Sequence, residues 1–170
     1  MLLRRVQDND NIVEVGVDEV GRGPMFGRVY TAAVILPNSG FNYDCLKDSK
    51  KFSSAKKLRD VGRYIIANCV NYAISFEDEK IIDKINIKNA TYSSMHKCVK
   101  SLNLDYNNSI LLIDGNDFKP LIYYDKNRET FKEAKYKCLV GGDSKSCSIA
   151  AASILAKIAR DDYIIDLCNK

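Results

Sequence analysis

The chain has 170 residues, 46% of them hydrophobic and 28% charged, with a formal net charge of +4 at pH 7. That length suits one domain with a sizeable core, so residues 1–170 are read as a single unit, expected to be a monomer. No apolar run is long enough to cross a membrane, and Met1-Leu2-Leu3-Arg4-Arg5 turns polar too soon for a secretory signal, so the expected location is cytoplasmic.

In chain order, residues 12–17 predict a first strand and residues 29–36 a second, closed by Pro37. The short turn between them favours an antiparallel pair. Residues 38–51 read as loop, and Ser53 or Ser54 can cap a helix running to about residue 68, with Leu58, Val61 and Ile65 on its inner face. Residues 70–76 alternate as a third strand. A short helix over 77–83 and a longer one over 87–102 follow, the latter with Thr91, Met95, Cys98 and Leu102 on one face. The continuous apolar run 109–113 predicts a strand buried on both faces, a pattern of parallel pairing. Residues 137–140 give a short fifth strand and residues 148–167 a last helix, whose Ala150, Ala151 and Ala152 permit close packing. The fold class is α/β, a sandwich with a mixed sheet.

Six cysteines (Cys45, Cys69, Cys98, Cys138, Cys147, Cys168) lack CxxC spacing and His96 is the single histidine, which argues against zinc. Without a secretory signal, reduced thiols fit better than disulfides. Charge is uneven. Residues 44–63 set Lys47, Lys50, Lys51, Lys56, Lys57, Arg59 and Arg63 against Asp44, Asp48 and Asp60, a local +4 equal to that of the whole chain. Such a stretch suits a polyanionic partner, or a solvated helix face.

The chemistry centres on Asp18-Glu19-Val20-Gly21-Arg22-Gly23-Pro24, directly after the first strand. Two carboxylates are hard ligands for a divalent cation, and an arginine between glycines suits phosphate. Neighbours on a strand point to opposite faces, so the strand is expected to end or bulge at Asp18 or Glu19. Asp114 ends the buried strand and Asp143 follows the fifth, where ligand sites of open α/β sheets lie. Each alone reads equally as a turn or cap residue. Four carboxylates meeting without a cation would repel one another, whereas two cations would make them a site for in-line phosphoryl chemistry. Ser153, Lys157 and Arg160 share one helix face that either touches phosphate or packs on the sheet edge.

Six blocks in order resemble the ribonuclease HII family: Val17-Asp18-Glu19-Val20-Gly21-Arg22-Gly23, Asp48-Ser49-Lys50-Lys51-Phe52-Ser53, Asn86-Ile87-Lys88-Asn89-Ala90-Thr91, Ile113-Asp114-Gly115, Gly142-Asp143, and Ala150-Ala151-Ala152-Ser153-Ile154-Leu155-Ala156-Lys157 with Arg160-Asp161. The resemblance implies a ribonuclease H-like three-layer sandwich on a mixed five-stranded sheet. It implies an endonuclease that uses Mg²⁺ or Mn²⁺ to cut the RNA strand of RNA–DNA hybrids, and ribonucleotides embedded in duplex DNA, leaving 3′-hydroxyl and 5′-phosphate ends. By match, Asp18, Glu19, Asp114 and Asp143 are the catalytic metal ligands. Gly21, Arg22 and Gly23 read the ribose 2′-hydroxyl, and Lys50, with Lys51 beside it, meets the substrate backbone; Ser153 and Lys157 are further substrate-binding candidates. The related ribonuclease HIII is disfavoured by Gly21-Arg22-Gly23 and by the lack of an extra N-terminal binding domain.

Two departures from the family pattern stand out. Gly141 replaces a common lysine, and the 170 residues end before a Gly-Tyr-Gly-like element whose tyrosine stacks on a sugar. The expectation is that hybrid cleavage exceeds cleavage at a single ribonucleotide. The connection from Asp114 to Asp143, with Tyr123, Tyr124, Lys126, Arg128, Lys132 and Lys135, is expected to lean over the substrate and supply a substitute aromatic. The competing reading is a non-catalytic or truncated hybrid-binding module.

Overall fold

In the computed structural model, which describes residues 2–7, 9 and 11–169, the chain opens with three strands in an antiparallel meander. β1 (Val13–Val20) pairs with β2 (Val29–Ile35), which pairs with β3 (Asn71–Glu77). Two parallel strands, β4 (Ser109–Asp114) and β7 (Tyr136–Leu139), complete a five-stranded sheet in the order β3-β2-β1-β4-β7. β2 is buried along its whole length because helices cover both faces of the sheet.

On one face lie α1 (Ala55–Asn68) and α3 (Cys147–Cys168), packed over Ala32 and Val34. On the other lies α2 (Glu79–Ser101), whose Met95, Cys98 and Val99 pack with Val15, Val17, Ala33 and Ile113. Ser54 caps α1 by accepting from the Lys57 amide, and Asp78 caps α2 by accepting from Ile81. The two helices read from sequence at 77–83 and 87–102 run on as α2, separated only by a kink at Asn86 (φ 64°, ψ 163°). Asn86 then caps the second segment through the Asn89 amide. No helix among the described residues is long and apolar enough to cross a membrane.

Two features depart from the sequence reading. β1 does not stop at residue 17. It stays in regular register with β2 to Val20, pairing Asp18 with Ala32 and Glu19 with Thr31. The long connection after β4, to which the sequence reading gave no strand before residue 137, folds into a separate hairpin of β5 (Ile122–Asp125) and β6 (Thr130–Glu133). The main sheet keeps its five strands.

α3 lies unusually close to the sheet. A Cβ at Gly16 would sit 2.1 Å from the Ser148 carbonyl carbon and 2.4 Å from the Ile149 nitrogen, so only glycine allows this backbone-to-backbone contact. Residues 147–156 of α3 are buried throughout, with Ala150, Ala151, Ala152 and Ala156 against the sheet.

Candidate active site at the carboxyl ends of β1 and β4

The β1–β4 ladder ends at Val17–Ile113, whereas the β1–β2 ladder runs to Val20. Asp18 and Glu19 thus sit in a strand that is paired on one side and open on the other. This resolves the problem of two neighbouring carboxylates facing opposite ways. Asp18 shares a face with Ala32 and points toward α3, while Glu19 shares a face with Thr31, which bonds Ser94 of α2. The open edge beside the end of β4 is the place where both can face Asp114.

Electrostatics places the four candidates together. Burial raises the Asp18 carboxyl well above the usual carboxylate range, and the charges of Glu19 and Asp114 raise it further. A side-chain hydrogen bond from Ser153 and the Glu19 amide, 2.7 Å from Oδ1, act in the opposite direction. Burial also raises Glu19, opposed by Arg22 and reinforced by Asp114. Asp143 is raised by burial, then by Asp114 and Asp48, and lowered by Lys50. Three carboxyls are therefore held above their ordinary range by desolvation and by one another, with too little positive charge nearby to relieve them.

Local bonds fix the set. Asp114 Oδ1 accepts from the Gly142 amide at 2.6 Å, tying the end of β4 to the turn that carries Asp143. A Cβ at Gly142 would meet Ile149 Cδ1 at 2.6 Å and Asp114 Oδ1 at 3.2 Å, so a glycine there lets the turn close on Asp114. Among the described residues, no three Asp, Glu, His or Cys side chains already form a metal-holding group. As placed, the carboxylates are satisfied by amides, Ser153 and Arg22. Their chemistry nonetheless suits a hard divalent cation: all donors are oxygens, and the mutual repulsion is what a cation would remove.

Arg22 lies 3.5 Å from Glu19 Oε1 and is half exposed. Gly21 (φ 108°) is packed hard: a Cβ there would be 2.6 Å from the Arg28 carbonyl oxygen and 2.8 Å from Arg160 Nε. At Gly23 an added Cβ would meet nothing within 4 Å, which leaves that stretch of backbone uncovered. Lys50 lies close enough to Asp143 to lower its pKa. Lys51 faces Asp48 at 3.8 Å, and Asp48 caps the 3₁₀ turn Ser49–Lys51 through the Lys50 amide.

The helix face at 153, 157 and 160 divides into three jobs. Ser153 is buried, 3.1 Å from Ser49 Oγ, and turned to Asp18. Lys157 is paired with Asp161, one turn on in α3. Arg160 is buried and donates from Nη2 to the Phe26 carbonyl at 3.2 Å, holding the loop after β1.

The sequence reading missed Ser49 as the partner of Ser153; the signal was its place between Asp48 and Lys50. It also missed Arg28. The guanidinium carbon of Arg28 stands 4.2 Å from the Phe76 ring centre and 4.5 Å from that of Tyr163, and Tyr163 donates to Glu79 Oε1. These four residues come from three elements and the loop before β2, so no local pattern announces them. The expected aromatic substitute is corrected: Tyr123 stacks on Tyr106 at 4.7 Å and donates to Asn107 Oδ1, beside the start of β4 and at the end opposite Asp114.

A mixed sheet in this order, covered on both faces and carrying carboxylates at the ends of its two central neighbouring strands, defines a protein of the ribonuclease H-like class. A ribonuclease HII family profile matches residues 15–170. Ribonuclease HII of Porphyromonas gingivalis is 41% identical over 169 residues, which cover 98% of this chain and 76% of that protein. In structure, the ribonuclease H2 of Pyrococcus horikoshii OT3 superposes with a TM-score of 0.76 at 24% identity, over 94% of this chain and 77% of that one. A Bst-RNase HIII, solved in complex with Mn²⁺, superposes with a TM-score of 0.68 at 18% identity, over 94% and 55%. The chain belongs to the ribonuclease HII family.

Proposed function

We propose that this protein is a divalent-metal-dependent endonuclease that hydrolyses the RNA strand of RNA–DNA hybrids and cuts at ribonucleotides within duplex DNA. Family membership supports the hydrolase, and the Mn²⁺ complex of the Bst-RNase HIII supports metal use. The observation that carries the assignment of residues is the set of raised carboxyls at Asp18, Glu19 and Asp143 around Asp114.

Asp18, Glu19, Asp114 and Asp143 would hold the cations. Two such ions would supply Lewis-acid polarisation of the scissile phosphate and a more acidic water. The rest falls to the protein. Ser153 orients Asp18 from the α3 side and is itself held by Ser49, and the Gly142 amide orients Asp114. Lys50, beside Asp143, is placed to meet a backbone phosphate, and Lys51 extends that basic edge. The uncovered backbone at Gly23, with Arg22 beside Glu19, offers donors to a ribose 2′-hydroxyl, the group that separates RNA from DNA. Attack by water at phosphorus with the 3′-oxygen leaving gives 3′-hydroxyl and 5′-phosphate ends.

The test is cleavage of an end-labelled RNA–DNA hybrid with Mg²⁺, Mn²⁺ or EDTA. Asp18→Asn and Asp114→Asn should each lower turnover by more than about a hundredfold, beyond the 10–100-fold typical of losing an outer support of a metal site. Near-normal turnover in either variant removes that residue from the site, and activity in EDTA removes the metal.

A further inference from the structure

The β5–β6 hairpin is a feature that the candidate site does not use. It is rooted where Ala134 donates to the Leu121 carbonyl and Leu111 to the Lys135 carbonyl, beside the N-terminal half of β4. Its turn residues Asn127 and Arg128 share a cleft with Asp105, Tyr106, Asn107 and Asn108, which precede β4. The six residues of β4, about 17 Å at about 3.3 Å per residue, separate this end from Asp114.

Two independent properties mark its surface. The first is aromatic exposure. Tyr124 and Phe131 face each other across the hairpin with ring centres 5.2 Å apart, 50% and 72% exposed, and Ile122 lies exposed on the same side. A ring pair left in water is a cost that a soluble surface rarely carries without use. The second is charge. Residues 122–133 balance Lys126, Arg128 and Lys132 against Asp125, Glu129 and Glu133, while Lys119, Lys135 and Lys137 flank the hairpin in sequence and bring residues 119–137 to a net +3. Asp125 is buried and paired with Lys132, so that pair cancels locally. Lys126 and Arg128 stand exposed in the turn that joins the two ring-bearing strands. The basic stretch 44–63 lies elsewhere, with its Lys50 beside Asp143.

We infer that the β5–β6 hairpin is a second nucleic-acid contact, taking unpaired nucleotides by stacking on Phe131 and Tyr124 and by phosphate contact with Lys126 and Arg128. Exposed rings interleaved with cations bind single strands, because every base offers a π-face and every nucleotide a phosphate. A duplex hides its base faces within the stack, so the rings favour unpaired segments over paired ones. The geometry puts this contact at the opposite end of the sheet from the carboxylates, so it engages strand lying outside the cleaved segment. The inference goes beyond the proposed activity and does not require it.

The experiment measures binding by fluorescence anisotropy, in EDTA, of labelled 15-nucleotide oligo-dT and oligo-U and of a blunt 15-base-pair DNA duplex. Proteins compared are the native chain, Phe131→Leu, Phe131→Tyr and the double variant Lys126→Ala/Arg128→Ala, each checked for an unchanged circular dichroism spectrum and melting temperature. Phe131→Leu should weaken single-strand binding by about tenfold, and Phe131→Tyr should restore it, because a ring rather than bulk is needed. The double variant should reduce the steepness of log K against log salt by about 1.4, two contacts at about 0.7 each. The dT and U arms separate a surface for any unpaired strand from one selective for ribose. Single-strand binding by Phe131→Leu equal to that of the native chain overturns the inference, as does an equal loss on the blunt duplex or an unchanged salt slope. Because no divalent metal is present, these outcomes are independent of whether the carboxylates cut a hybrid.

Discussion

At the scale of single residues, the candidate site is built at the expense of stability. Asp18 is 4% exposed, and its neighbours include Glu19 and Asp114. Its folded pKa lies above its unfolded one, so the native state holds a proton that the unfolded chain releases. Keeping Asp18 charged therefore destabilises the metal-free protein at neutral pH, and the loss is regained as pH falls through the raised value. Asp18→Asn removes the charge while keeping the size. In EDTA at pH 7.5 the variant should melt at least about 2 °C higher than the native chain, where about 2–4 °C corresponds to 1 kcal/mol at this size. The gap should narrow as the pH is lowered toward the ordinary carboxylate range, where the native chain becomes protonated. A variant that melts lower than the native chain at pH 7.5 would mean that Asp18 is stabilised by its Ser153 and Glu19 bonds more than it is penalised by burial. The four candidate carboxylates stood out in the sequence as an adjacent pair, Asp18-Glu19, ahead of Gly21, and as Asp114 and Asp143 at strand ends beside a glycine, while their joint role came from the family resemblance. Their supports were half legible: Ser153 stood out on its helix face, but its bond to Ser49, 104 residues away, forms only where α3 packs on the Ser49–Lys51 turn.

At the scale of elements, strand identity was legible wherever burial imposed a pattern, and illegible where it did not. β2 and β4 are apolar runs because both of their faces are covered. The β5–β6 hairpin lacks that signature, since its side chains alternate between a cleft and open solvent and its strands are four residues each. The end of β1 was misplaced for another reason. Its boundary depends on which neighbour is counted, and the pairing with β2 outlasts that with β4 by three residues. The contact that matters most for the site is β1 on α3, set by Gly16. Gly16→Ala drives a Cβ into the Ser148–Ile149 peptide, and backbone cannot yield as a side chain does. A loss of roughly 1–3 kcal/mol or more is expected in urea unfolding, with weakened cleavage as Ser153 is moved off Asp18. Gly62→Ala is the contrast. Its Cβ would be 2.3 Å from Ile158 Cδ1, the far end of a flexible side chain. Relief by a rotamer change, together with the roughly 1 kcal/mol preference of alanine over glycine within a helix, should leave stability near or above that of the native chain. Equal losses in both variants would refute the argument from backbone contact.

At the scale of the whole molecule, the sheet collects candidate carboxylates at one end, and the proposed cation is what would neutralise them. Composition gave no hint of this, because the carboxylates are few among 22 acidic residues and the chain is net positive. Only the fold concentrates Asp18, Glu19, Asp114 and Asp143 where the local field is negative. A ligand that binds the folded state alone stabilises it by RT ln(1 + [L]/Kd), about 2.7 kcal/mol at a hundredfold excess over Kd. For 170 residues that corresponds to a rise of roughly 5–10 °C in melting temperature. Titration with Mn²⁺ or Mg²⁺ should therefore raise the melting temperature of the native chain until the site saturates, while KCl at matched ionic strength should not. Asp114→Asn, which removes the carboxylate coupled to Asp18, Glu19 and Asp143 alike, should lose most of that rise. The measurement needs no substrate, so it separates a protein that binds metal but does not cut from one that binds none. An identical rise in the native chain and in Asp114→Asn would place the cation elsewhere on the surface. No rise in either would leave the four carboxylates to be explained without a metal.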